Sequence, residues 1–284
     1  MFDINENLPL IIKLIISFFV GGLFIALQSK LAEHYPKIGG YIISLPSTLP
    51  LSLFFIGWIY GINISKEANQ IVPLAVVNIL IFTTIFSTFV VIIGHRMLII
   101  NILSIAFWIA ISYLCSIYIK DIGYYISLLI SIISIFLTRY IILIILSKNK
   151  TRKSQSNPKT YNIKIVYRGI IAGSVIVISS LLTNYLSPSW GGLFAVFPAA
   201  FITNFNFILK SKGNDTFFEV VKKAPEGTLM LVIYSITFMV ININSIFLLI
   251  VVSYIVAIIL EIPIFYYLNI HKDKDTPKKI SIDS

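Results

Sequence analysis

The sequence predicts an all-α integral membrane protein of about nine transmembrane helices, built as two inverted four-helix repeats joined by a linker helix. Three observations carry that expectation. The 284-residue chain is 57% hydrophobic and 12% charged, with a mean hydropathy of +0.93, far from the composition of a soluble domain. Apolar runs of about twenty residues, the length a helix needs to cross a bilayer core, recur between short polar connectors. The third observation is self-similarity at a fixed, gapless offset of 152 residues. Gly21 falls on Gly173, Pro36 on Pro188, Gly39-Gly40 on Gly191-Gly192, and Pro46 on Pro198. Phe55-Ile56 falls on Phe207-Ile208, Gly61 on Gly213, Glu67 on Glu219, and Pro73 on Pro225. Seven of these ten identities are Gly or Pro, the residues that fix backbone shape. Internal repeats of this length are a building rule of secondary transporters.

The spans read from apolar length are 8–29, 38–60, 71–93, 97–119, 122–147, 165–186, 190–209, 226–243 and 245–268. Backbone in lipid must satisfy its own hydrogen bonds, so each is a helix; barrel strands would be shorter and would alternate. The first is preceded by Met1–Asn7, which has no basic region and no small-residue cleavage site, so it reads as a retained helix. Grouped by the repeat, the chain divides into a first transmembrane repeat (8–119), a linker transmembrane helix (120–147) and a basic cytoplasmic linker (148–163). A second, inverted repeat (164–268) and a disordered cytoplasmic tail (269–284) complete the division.

Charge sets the orientation. With the C-terminus in the cytoplasm, 18 of the 22 basic residues fall on the inside, most of them between Lys148 and Arg168 and between Lys210 and Lys223 or in the tail. The expected place is a prokaryotic plasma membrane, multi-pass, with the N-terminus outside; the Ile- and Lys-rich composition fits an AT-rich genome. The net charge of +10 is on this reading a topology signal and not a nucleic-acid interface. Five spans separate the starts of the two repeats, an odd number, so the second copy crosses the membrane in the opposite sense. An inverted pair offers one fold to each side of the membrane, the symmetry that lets a central site open alternately.

The second helix of each repeat holds the candidate site. Pro46 and Pro198 each remove a backbone donor at membrane depth. Polar residues gather beside them: Ser44, Ser47, Thr48 and Ser52 in one half, Thr203, Asn204 and Asn206 in the other. Paired broken helices at matching positions point to a transporter's binding site. The competing reading is a static kink with side chains bonded back to carbonyls.

Ionisable residues inside spans are few. Lys13 reads as snorkelling outward and Arg168 as a lipid-phosphate anchor. Arg139 lies about 26 Å along its helix at 1.5 Å per residue, close to the inner surface. Glu261, directly before Ile262-Pro263, is the candidate coupling carboxylate, alone or paired with Arg139 or Arg168.

The run Gly191-Gly-Leu-Phe-Ala-Val-Phe-Pro-Ala-Ala200, with Gly213 and the amphipathic stretch after it, resembles the second helix of the GlpM-like membrane proteins. Those are small four-helix proteins, and the likeness covers about 60 residues of each repeat. It implies two such units fused through a linker helix, a plan similar to that of the drug/metabolite transporters and their four-helix small multidrug resistance relatives. The early membrane-embedded glutamate of those transporters is absent here, which removes proton-coupled cation exchange through that residue from what the resemblance implies.

No enzyme activity and no cofactor are expected. His34, His95 and His271 lie in separate connectors, no acidic metal cluster appears, and no Gly-Lys-Ser/Thr phosphate loop exists. The single cysteine, Cys115, excludes an internal disulfide. The functional expectation is a secondary transporter or exporter of a small solute. The alternatives are an envelope-lipid flippase or scramblase, and a non-catalytic subunit of an envelope-polymer assembly. The expected partners are the bilayer and a small solute or lipid, with a homodimer as one arrangement of the chain and no nucleic acid.

Overall fold

A computed structural model describes residues 8–34, 47–94, 96–119, 122–147, 165–211 and 213–275. Among the described residues there is no strand, and they form twelve α-helices. These are α1 (Leu10–His34), α2 (Thr48–Tyr60), α3 (Ile62–Gln70) and α4 (Val72–Ile93). Next come α5 (Met97–Leu114), which runs on into a π-helical turn at Cys115–Ile119, α6 (Tyr124–Ser147) and α7 (Ile165–Tyr185). The last five are α8 (Pro188–Ala195), α9 (Ala199–Ser211), α10 (Gly213–Gly227), α11 (Leu229–Val240) and α12 (Ile246–Asp275).

Among the described residues six helices are long and apolar enough to cross a membrane: Leu10–Gln28, Val72–Ile93, Met97–Ile117, Tyr124–Ile145, Val166–Tyr185 and Ile246–Pro263. Large apolar side chains stand exposed along α1, α5 and α6, among them Phe19, Leu98 and Phe136. Helices apolar on every side and open to the surroundings suit lipid and not water. The protein is an all-helical, multi-pass membrane protein.

The other three expected spans are not continuous helices of that length among the described residues. Of 38–60, residues 38–46 lie outside the description and α2 supplies thirteen residues. The span 190–209 splits into α8 and α9 at Val196–Pro198. Residues 226–243 yield the twelve-residue α11, only about 18 Å long at 1.5 Å per residue, because α10 takes up Glu226 and Gly227. At the far end α12 stays helical to Asp275, seven residues into the tail expected to be disordered. Extending an existing helix needs no new nucleus, so a polar end continues it at little cost.

Two glycines fix matching corners. Gly61 (φ 101°) separates α2 from α3, and Gly213 (φ 81°) opens α10 after α9. Both occupy the left-handed region that side-chain-bearing residues avoid, and the two positions coincide under the 152-residue offset. Each glycine turns the chain from an apolar half-helix into a short amphipathic one, INISKEANQ in α3 and GNDTFFEVVKKAPEG in α10.

The interior has two apolar regions. One gathers Leu53, Ile56, Val72, Leu193, Tyr234 and Phe238 from α2, α4, α8 and α11. The other is aromatic, with Phe86, Phe205 and Phe217 in mutual contact at centroid distances of 5.2–6.0 Å. Amide side chains tie helices across these regions: Asn69 Nδ2 donates to the Ser235 carbonyl (3.0 Å), and Asn78 Nδ2 donates to the Trp108 carbonyl (3.2 Å) and Ser112 Oγ. The most extensive helix contact among the described residues is α1 against α7. Contacts at this crossing pair Phe18 with Gly173 and Gly22 with Gly169, so partner numbers fall as α1 advances and the two helices run antiparallel.

Candidate functional site

The half-helix α9 begins where proline stops the preceding backbone. Pro198 follows α8, where Val196 and Phe197 donate to Leu193 and Phe194, three residues back, and the four-residue pattern resumes with Ile202 donating to the Pro198 carbonyl at 2.9 Å. Proline is tolerated there because the first amides of a helix have no internal acceptor anyway. The break is braced by Trp108 of α5, whose ring lies edge-on to Phe194 and Phe197 at 5.2 and 5.0 Å. In the other half α2 starts at Thr48; Pro46 and Ser44 lie outside the described residues.

The N-terminal ends of α2 and α9 reach one cavity, with about 50 Å³ of room for water-sized occupants. Ser47 and Thr48 line it from the first half of the chain, and Ala199, Thr203 and Asn204 from the second. α1 contributes Ile25 and Gln28, and α7 contributes Arg168, Ile171 and Ala172. Four of the residues selected from sequence thus meet at one place. Thr203 Oγ1 donates to the Ala199 carbonyl at 2.9 Å, which holds the hydroxyl at the start of its helix. Ser47, the N-cap of α2, makes no side-chain cap bond.

Arg168 is 8% exposed, and its guanidinium lies 5.7 Å from the centroid of the Phe207 ring. Its place on the cavity wall differs from the surface lipid anchor expected of it. Gln28 is the lining residue that sequence reading missed, and Arg168 the one it read as a surface anchor. The signal for Gln28 was present: an amide late in an otherwise apolar run needs a polar neighbour.

Ser52 and Asn206 lie elsewhere. Ser52 is fully buried one helical turn beyond Thr48, with its hydroxyl lacking a hydrogen-bond partner. Asn206 faces α5, where it exchanges reciprocal hydrogen bonds with Asn101 at 2.9 and 3.2 Å and donates to the Ile202 carbonyl at 2.7 Å.

The charged candidates separate as well. Arg139 Nη1 meets Glu226 Oε1 at 2.9 Å, joining α6 to the end of α10. Glu226 is almost wholly buried, with 3% of its side chain exposed. Glu261 is buried on α12 and is not the partner of Arg139. Both carboxylates stand near helix ends in the sequence, and linear order alone does not choose between them. Among the described residues no group of three or more His, Cys, Asp or Glu side chains is placed to hold a metal ion.

Comparison of the chain with models of known families, with curated proteins and with solved structures finds no match.

Proposed function

We propose that the protein is a secondary transporter of a small solute, with the Thr48–Thr203–Arg168 cavity as its central site. The observation that carries this reading is the convergence of Ser47 and Thr48 with Thr203 and Asn204 from the opposite half of the chain. Each pair stands at the start of a half-helix. A polar cavity between half-helices is the arrangement that discontinuous transporter helices use, since the unwound backbone is tolerable only where it lines such a space.

Inversion of two repeats is part of the proposal. It is supported by the antiparallel crossing of α1 and α7, whose contacts run from Phe18 to Ala26 and from Gly169 to Ile176, and so straddle Gly21 and Gly173, the repeat-equivalent glycines. It is supported too by the matching turns at Gly61 and Gly213. We place the N-terminus outside and the basic linker inside on the charge distribution, and read nine crossings, with α2, α8–α9 and α11 completing the six long helices. The fused GlpM-like plan is compatible with this arrangement. Arg139 and Glu261 are then candidates for coupling: the first through its buried pair with Glu226, the second as a carboxylate inside a membrane helix.

The flippase reading is favoured by one feature. Ile171 on the cavity wall is 38% exposed, so the outer face of α7 brings lipid close to the site.

The test is flux. Purified protein in proteoliposomes is offered a panel of labelled small organic acids, inorganic anions and amino acids. Uptake of one of them that Thr48→Ala and Asn204→Ala abolish, with unchanged thermal stability, supports transport. Unaltered flux in both variants, or no flux of any solute alongside scrambling of labelled lipid, overturns it.

A further inference from the structure

We infer that the contact between α3 and α8, at Ala68 and Gly192, is the gate that closes the central site toward the outer side. The inference rests on the transport reading and names how access to its site is controlled.

The cavity lies toward one end of the crossing helices, since α7 lines it with Arg168, Ile171 and Ala172, near its start. Ser179 stands about 10 Å beyond Ala172 at 1.5 Å per residue, toward the Tyr185 end, which is the outer one in the proposed orientation. There α8 is set hard against α7. Ser179 Oγ donates to the Gly191 carbonyl at 2.7 Å, and a Cβ on Gly191 would collide with Thr183 Oγ1. At the next residue α8 meets α3: a Cβ on Gly192 would collide with the Ala68 carbonyl oxygen and come within 2.6 Å of Ile71 Cγ2. Backbone thus touches backbone between opposite halves of the chain, with no space for a side chain, let alone a solute.

α3 is held to the second half at a further point, where Asn69 Nδ2 donates to the Ser235 carbonyl of α11 at 3.0 Å. It is held to its own half by Ser65 Oγ, which donates to the Leu53 carbonyl of α2 at 2.7 Å. Opening therefore parts α3 from α8 and α11 and carries it with α2.

The layer has the marks of one that parts. Asn69 Oδ1 and the Tyr234 hydroxyl, both on fully buried residues, have no hydrogen-bond partner among the described residues. Tyr234 belongs to the same buried region as Ala68 and Leu193. An unmet polar group weakens a layer that never opens, whereas water satisfies it in one that does. The repeat equivalents also differ. Ala68 is 0% exposed, whereas Val220 on α10, its counterpart under the 152-residue offset, is 37% exposed. On the repeat reading one copy is closed at α3 and the other uncovered at α10, as alternating access requires of any single conformation.

The test is access from each side, read on the full-length protein with Thr203→Cys as reporter in a Cys115→Ser background. An impermeant thiol reagent is applied to sealed right-side-out and inside-out vesicles with no solute present. Gly192→Ala puts a methyl group where the Ala68 carbonyl must sit, so the closed state loses population to the open one. The outer rate should rise at least about tenfold, and the inner rate should not rise. Asn69→Ala removes the tie to α11 without adding an atom, and should raise the outer rate at least about threefold. Gly227→Ala, in open space, should change neither rate. The inference is overturned if Gly192→Ala, folded as judged by its unfolding transition, reacts from outside at the rate of its parent. It is overturned too if both rates rise together, the sign of a loosened fold. Should Gly192→Ala not fold, Asn69→Ala decides alone, and an unchanged outer rate overturns the gate. Unchanged rates in a protein that transports remove the gate and leave transport standing. Shifted rates without flux of any solute do the reverse.

Discussion

A Cβ placed on Gly22 would stand 2.8 Å from the carbonyl oxygen of Gly169, and a Cβ on Gly169 would stand 2.8 Å from the carbonyl oxygen of Gly22. The backbones of α1 and α7 are therefore in direct contact at a reciprocal point, with no side chain between them. Close approach of this kind is how membrane helices gain packing energy when lipid supplies no hydrophobic drive. Gly22→Ala and Gly169→Ala should each lower stability by about 1–3 kcal/mol, because neither neighbour is a side chain that can move aside. Gly227→Ala is the control: open space surrounds that position. Thermal unfolding in detergent checks all three, and a Gly22→Ala protein as stable as wild type would contradict the contact.

The Arg139–Glu226 pair ties α6 to α10. Removing the arginine takes a cation away from a buried carboxylate, so Arg139→Met should lower stability, by up to about 3–5 kcal/mol. The double variant Arg139→Met/Glu226→Met should recover most of that loss, since two apolar side chains need no partner. A double variant that is the sum of its singles would show that the pair is not coupled.

Asn204 and Asn206 stand two residues apart on α9 with different neighbours. Asn206→Ala should cost about 0.6–1.7 kcal/mol by ending the exchange with Asn101, and Asn101→Ala should cost the same. Neither cost should add in the double variant. Asn204→Ala should leave the unfolding temperature near that of wild type and abolish flux.

The proposed orientation rests on the basic residues, 18 of 22 of which nine crossings would put on one side. In intact cells carrying Cys115→Ser, an impermeant thiol reagent should label Asn5→Cys and leave Ser156→Cys unlabelled. The opposite pattern would reverse the topology.

Much of this architecture was legible because glycine and proline act locally. Gly61, Gly213 and Pro198 set turns and a break that require no knowledge of distant contacts, and the structure has them at those positions. Apolar run length located six membrane-length helices for the same reason. The shorter pieces escaped it, since a span reads as continuous apolar sequence whether or not Val196–Pro198 interrupts the helix. Ser47, Thr48, Thr203 and Asn204 were legible as a cluster of polar residues beside prolines. What linear order does not carry is rotation about a helix axis. Asn204 and Asn206 differ by about 200° of helical turn, which sends one to the cavity and the other to Asn101. The choice of Glu226 over Glu261 for Arg139 likewise depends on where α10 docks, a tertiary fact with no local signature.

The central claim is that one cavity between the two halves is reached from both sides of the membrane in turn. Thr48→Cys and Thr203→Cys, each in a Cys115→Ser background, test it in sealed right-side-out and inside-out vesicles. The measurement is the rate of modification by an impermeant thiol reagent. Alternating access predicts that each engineered cysteine reacts from both sides, and that a transported solute slows both reactions. Labelling from one side only, at a rate no solute changes, would contradict the account and identify the cavity as a fixed feature of a non-transporting membrane protein.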